Sequence, residues 1–452
     1  MLTILNGTIV TGNGITPPFQ GTIYIEGDRI LEIRPGLSPT SPDRGNSINA
    51  HNMVVFPGLI NAHTHGCTEG PFLPTAAKAL SQEEALKNLD KHLSFGTTTI
   101  INSDGFVLPR EADEMNDAHP MTIFTGTTHT PSNLKAAESV DGKGLGGEHR
   151  AATADQMLAL GAVMLGEVGG GVTLGGGGMD YLYIPLAIKE RTGLDVGTRQ
   201  CRALKEAAMG RYINQNDCDL AEVQRVLNDV GLAEHLTAEE ARDLVFDTVL
   251  PPFDLSLQGF GEAVAVGKRL GAPVLVHNSA PSDEATMEAA REIGPLLIAG
   301  HTNHSTYSVE ESLASAKELR RLGSIIEVCT LDLFGAQQLE SGTDYIYALL
   351  DAGLVDTWAT DYAAGFWDCQ LVGIEATVKE GKSSLTQLIA MASGNVTHAI
   401  PGVGDRGVLA PGRIADVVIA PTSHLSQVSQ VVIGGEVVYK NGEVLRETIA
   451  NP

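Results

Sequence analysis

The sequence is poor in cysteine and in basic residues, and it holds no long apolar run. Its five cysteines, Cys67, Cys201, Cys218, Cys329 and Cys369, are an odd number and include no C-x-x-C pair, which argues against a disulfide framework or a thiolate zinc site. Lys and Arg number 30 against 55 Asp and Glu, a formal net charge of −25. Such a field repels phosphate backbones and anionic lipid, so neither nucleic acid nor a membrane surface is an expected partner. Nowhere do about eighteen apolar residues follow one another. The start, MLTILNGTIV, lacks a basic region ahead of an apolar core, and a cytoplasmic location is expected. No repeat of solenoid length is visible. The glycine-rich run GGGVTLGGGG from Gly169 lacks both the Lys-Ser/Thr of a P-loop and the spacing of a dinucleotide fingerprint. It reads as a flexible loop.

What is present fits a large globular protein with a sizeable core. At 452 residues and 43% apolar content, the chain can form one large barrel with a smaller accessory domain. Residues 1 to 53 alternate apolar and polar side chains around Asn-Gly and Gly-Asp turns, and the same rhythm returns in GRIADVVIA and QVVIGGEVVYKNGEVL. The two termini are therefore expected to build one β-sandwich, from residues 1–55 and 402–452, around a central domain of residues 56–401. That central region alternates buried strands with helices, the mark of repeated βα units. Its first strand lies in VVFPGLINAHTHG, from Val54 to Gly66, and an amphipathic helix follows at about Gln82 to Phe95. TTTIINS, MTIFTGT and AVMLGEV supply strands two to four, and PVLVHN, PLLIAGH, SIIEVCT and VDTWATD strands five to eight. Eight such units predict an α/β fold, a (β/α)8 TIM barrel. Between strands four and five an acidic, helix-prone insertion at about 180–255 is too long for a simple connection, and it reads as a cap, an oligomer contact or a solvated surface element.

Chemistry gathers at the ends of the strands. In His63-Thr64-His65 the two imidazoles are two residues apart on a strand, so they face the same way and can meet a metal such as Zn²⁺ or Fe²⁺. Glu167 ends the fourth strand, His277 the fifth, His301 the sixth and Asp361 the eighth. Each interrupts or closes an apolar run, where an ionisable group is costly to bury unless it is paired or bound to metal. His129, Asn303 and His304 lie at neighbouring strand ends and are weaker candidates for contacts to substrate, with structural or capping roles equally open. Cys67 and Cys329 lie close enough in sequence to reach the site, but read as buried, inert thiols.

The order His-x-His, strand-four carboxylate, His, His, Asp resembles the amidohydrolase superfamily of metal-dependent hydrolases, built on a distorted (β/α)8 barrel. The entry motif VVFPGLINAHTHG and the exit motif GNVTHAIPGVGDRGVLAPGRIADVVI extend the likeness over nearly the whole chain. Many binuclear members bridge two metals through a carboxylated lysine, but this chain has no lysine between Lys143 and Lys189, and Glu167 stands in its place. That feature is similar to enamidase, a cyclic-amide hydrolase, and to glutamate-bridged adenine deaminases. The insertion departs from the enamidase pattern and puts enamidase's own substrate in doubt. The resemblance implies two divalent cations, Zn²⁺ first, with Fe²⁺ or a Zn/Fe mixture as alternatives. His63, His65 and Asp361 would hold the more buried one, His277 and His301 the more exposed one, and Glu167 would span both. It further implies attack by a hydroxide bridging the cations on a small cyclic amide, with Asp361 as general base and then acid. A heterocycle deaminase is the alternative, and a non-catalytic scaffold the least favoured reading. A homo-oligomer, a tetramer by analogy, is expected, with a small molecule as substrate.

Overall fold

The computed structural model of the protein describes residues 1–38, 46–335, 337, 342–361 and 367–445. Eight parallel strands lie side by side in chain order: Leu59–Thr64, Thr97–Asn102, Thr122–Thr127, Met164–Val168, Val274–His277, Leu297–Gly300, Ile325–Cys329 and Thr357–Ala359. Nearly every residue in them is buried, as expected for strands packed between a barrel interior and an outer ring of helices. Side-chain and backbone hydrogen bonds tie the end of the last strand to the first. Asn61 Nδ2 donates to Thr360 Oγ1 at 2.7 Å, Asp361 N donates to His63 O at 3.0 Å, and Gln370 Nε2 donates to both Ile60 O and Trp358 O. The expected (β/α)8 barrel is present.

The apolar run from Val54 to Gly66 is two strands in two different sheets, not one. Met53–Pro57 pairs with Leu2–Ile9 and with Val417–Pro421 in the sheet built from both termini, and Leu59–Thr64 opens the barrel. The switch falls at Gly58, where any Cβ would collide with the Thr98 side chain. The terminal sheet has nine strands and curls around a separate core that includes Ile4, Ile23, Val55, Val417 and Val432. It is the sandwich expected of the termini.

The first barrel helix, Gln82–Ser94, starts at a capping box in which Ser81 accepts from Glu84 N and the Glu84 carboxylate accepts from Ser81 N. Beyond the fourth strand come helices Ile184–Thr192, Thr198–Met209 and Leu220–Asp229, and then a 33-residue helix, Ala238–Leu270. The first half of this long helix packs with the other three around a core of its own, including Ile184, Leu204, Leu227 and Val245. Its second half, from Phe260, joins the barrel core and leads to the fifth strand. No helix among the described residues is long and apolar enough to cross a membrane.

Candidate metal centre

Glu167, at the C-terminal end of the fourth strand, stands at the centre of the barrel mouth and is 2% exposed. Its two carboxylate oxygens face different histidine pairs. Oε1 lies 3.0 Å from His277 Nδ1 and 3.1 Å from His301 Nε2. Oε2 lies 3.6 Å from both His63 Nε2 and His65 Nε2. Asp361 Oδ1 closes the second group, at 3.6 Å from His63 Nε2 and 3.3 Å from His65 Nε2. The structure thus brings together all six residues singled out as metal ligands.

These spacings suit a cation better than direct contacts. A tetrahedral zinc site with legs of ~2.0–2.1 Å sets its ligand atoms about 3.4 Å apart, and the His63, His65, Glu167 and Asp361 atoms stand 3.3–3.6 Å apart. His63 Nε2 is buried with no hydrogen-bond partner, the condition of a lone pair awaiting a ligand. The donor set of imidazole and carboxylate matches zinc or iron. The electrostatics agree. Burial alone would raise the Glu167 carboxyl, but the His63 charge and the hydrogen bonds of His277 and His301 hold it well below the usual range. Burial works against a charged His65, yet Asp104 and Asp361 lift it to about 9, and Asp361 and Glu167 lift His63 well above its ordinary value. A site that attracts protons this strongly attracts a cation for the same reason.

Two further carboxylates stand behind this group. His63 Nδ1 is 2.9 Å from Glu327 Oε1, and His65 Nδ1 is 3.0 Å from Asp104 Oδ1. An ionised carboxylate only accepts, so each Nδ1 carries the proton and each Nε2 presents its lone pair inward. Asp104 is fixed in turn by Gly66 N and Leu73 N. Glu327, fully buried in the seventh strand, was not singled out from the sequence. Its only signal there is a lone charge inside the apolar run SIIEVC.

The cavity over the centre has a volume of about 50 Å³, small beside the several hundred Å³ of an open ligand cleft. His65, Glu167, His277 and Asp361 form its floor, and Leu73, Pro74, Val172, Leu331 and Trp367 its apolar walls, with Tyr181 and His304 alongside. Of the three weaker candidates, only His304 reaches this wall. His129 Nδ1 bonds Thr127 Oγ1 and its ring packs edge-on to Phe106, while burial pulls its pKa down to about 4. Asn303 spends both ends of its amide on the backbone of Cys329, bracing the end of the seventh strand. The Cys329 thiol sits 3.7 Å from Glu327 Oε1, pushed well above its usual pKa by burial.

The glycine run is buried and packed against the centre, not a flexible loop. A Cβ on Gly170 would lie 2.8 Å from Glu167 Oε2 and would strike Pro74, and one on Gly171 would sit 3.2 Å from His277 Cε1. Glycine is needed there because the backbone passes over the carboxylate with no room for a side chain. Asp361, His301 and Leu331 adopt φ of +53°, +30° and +47°, left-handed conformations that cost L-residues about 1–3 kcal/mol each and gather at functional sites.

The barrel thus carries one carboxylate set between two histidine pairs. No family model matches the chain. Among solved structures it is similar over 99% of its length to 98% of a β-aspartyl dipeptidase from Fervidobacterium islandicum AW-1, with a TM-score of 0.56 and 14% identity. It is similar over 97% of its length to 94% of a molinate hydrolase, with a TM-score of 0.55 and 16% identity. A D-aminoacylase with a binuclear metal centre matches over 98% of this chain and 97% of its own, with a TM-score of 0.55 and 14% identity. These neighbours are amidohydrolase-superfamily members, and the likeness establishes the fold. In sequence, a 66-residue stretch is 41% identical to a 5-methylthioadenosine/S-adenosylhomocysteine deaminase from Caldicellulosiruptor saccharolyticus, covering 14% of this chain and 15% of that protein.

Proposed function

We propose that the protein is a binuclear metal-dependent hydrolase that opens a non-peptide C–N bond in a small cyclic amide. The observation that carries this reading is Glu167, each of whose oxygens faces a different histidine pair. His63, His65 and Asp361 would hold one divalent cation, zinc in the simplest case, and His277 and His301 the other, with Glu167 shared. Two such cations make a water acidic enough to act as a nucleophile near neutral pH and polarise a carbonyl. Asp361 Oδ1, beside His65 Nε2 and partly exposed to the cavity, takes the proton of the nucleophile and returns it to the leaving nitrogen. His304 accepts from Thr306 N at Nδ1, so its proton sits on Nε2, available to a substrate carbonyl. The small volume of the cavity suits a small ligand rather than a polymer.

The 66-residue match to a deaminase favours one second reading, deamination of a heterocycle by the same residues. Product mass separates the two: incubation with lactams, cyclic imides and dihydropyrimidines should yield the ring-opened, water-added product. Ammonia loss from intact purines or pyrimidines, with no ring opening, would move the assignment to a deaminase. Metal analysis of protein purified without chelator should find close to two divalent ions per chain. A chain without metal would exclude both.

A further inference from the structure

Resting on the proposed hydrolase reading, we propose that the substrate of this cavity is uncharged, a neutral cyclic amide or imide without a carboxylate. No Lys or Arg lines the cavity among the described residues, and the undescribed residues at 336, 338–341 and 362–366, which follow strands seven and eight, include neither in sequence. The basic side chains that come near are already committed. Lys205 and Arg202 act electrostatically on His304, yet both are held by one buried carboxylate. Asp180 Oδ1 lies 2.6 Å from Lys205 Nζ and Oδ2 lies 3.0 Å from Arg202 Nε. Lys91 donates to the carbonyl of Trp367.

The hydrogen-bond donors that reach the cavity among the described residues are neutral. They are the Tyr181 hydroxyl and the His304 imidazole, whose Nδ1 accepts from Thr306 N and so carries no proton. Neither His304 Nε2 nor the Tyr181 hydroxyl bonds another described residue. Two uncharged donors over five apolar walls suit a carbonyl oxygen on a hydrocarbon ring, whereas a carboxylate would be buried without a countercharge. The metal centre offers no spare charge either. Glu167, Asp361, Glu327 and Asp104 surround it, and four carboxylates against two divalent cations sum to zero. At long range, a chain of net charge −25 slows the approach of anions further.

The test uses matched rings, 5,6-dihydrouracil against its 6-carboxylate and δ-valerolactam against 6-oxopiperidine-2-carboxylate. Turnover is measured with the zinc-loaded protein, and binding by calorimetry with zinc-loaded Asp361→Asn, so that affinity is read apart from hydrolysis. The neutral member of a pair should bind at least about 100-fold tighter, because the acid buries an unpaired charge. Comparable or tighter binding of either acid overturns the charge assignment and leaves the hydrolase reading intact. Preferential binding of the neutral ring without turnover by the unsubstituted protein supports the charge assignment and overturns the hydrolase reading. Binding of no ring overturns the assignment of cyclic amides to this cavity.

Discussion

The two histidine pairs that flank Glu167 differ in what stands behind them. His63 and His65 each rest on a buried carboxylate, Glu327 and Asp104, and share Asp361. His277 Nε2 and His301 Nδ1, on the other side, are buried with no hydrogen-bond partner. A carboxylate behind an imidazole fixes its tautomer and raises its basicity, and losing such a partner typically costs 10–100-fold in metal affinity. The two positions are therefore unequal by construction. The first is braced and negatively charged, and the second depends mainly on the oxygen it shares.

Removing the shared oxygen breaks both sides and carries the largest expected effect. Glu167→Gln keeps the shape but discards the charge, and metal content should fall from two per chain to one or fewer. Two fully occupied positions in that variant, measured by elemental analysis, would remove Glu167 as a bridge. Asp361→Asn comes next. It retains a ligand oxygen but cannot take a proton, so kcat should drop by about 10²- to 10⁴-fold while most metal stays bound. A metal-replete Asn variant with near-normal kcat would exclude Asp361 from proton transfer.

The asymmetry itself is sharpened by Glu327→Gln. Competition against a chromophoric chelator should show one of two zinc affinities weakened by about 10–100-fold and the other unchanged. Equal weakening of both would mean that the positions are coupled and the comparison is false. The smallest effect belongs to the unbraced side. Gly171→Ala places a methyl against the His277 ring at 3.2 Å, and crowding of this kind costs about 1–3 kcal/mol. Thermal unfolding with and without zinc reads it out, and an unchanged melting temperature would show that the loop yields freely.

Much of this was legible in the sequence because the barrel strands are near-continuous apolar runs ended by single polar residues. His277 and His301 stand out for that reason, as does the pair His63 and His65. Glu327 escaped because it lies inside its strand rather than at the end, where period-two reasoning places the active face. The cavity wall was hidden for a different reason. Leu73, Leu331 and Trp367 come from loops and Tyr181 from a single helical turn, Met179–Tyr183, and only tertiary packing brings them together. His129 and Asn303 sit at strand ends as expected, but Thr127 and the Cys329 backbone engage them locally. The glycine run reads as a flexible loop because composition carries no sign of the close backbone approach to Glu167 and His277 that leaves no room for a side chain.

The braced position straddles the seam where the barrel shuts. Its histidines sit on the first strand and Asp361 just beyond the eighth, next to the bond between Asn61 and Thr360, which are 299 residues apart in sequence. Joining residues so distant carries a loop-closure entropy that grows with the logarithm of their separation, and pairing of this range is slow to form. The first cation position comes into being only when the barrel has closed. An ion that binds only this closed state stabilises it by RT ln(1 + [ion]/Kd), about 4 kcal/mol at a thousandfold excess over Kd. The cation that prepares the chemistry is thus also a clasp on the fold, and chelation weakens the barrel first along the line where its two ends meet.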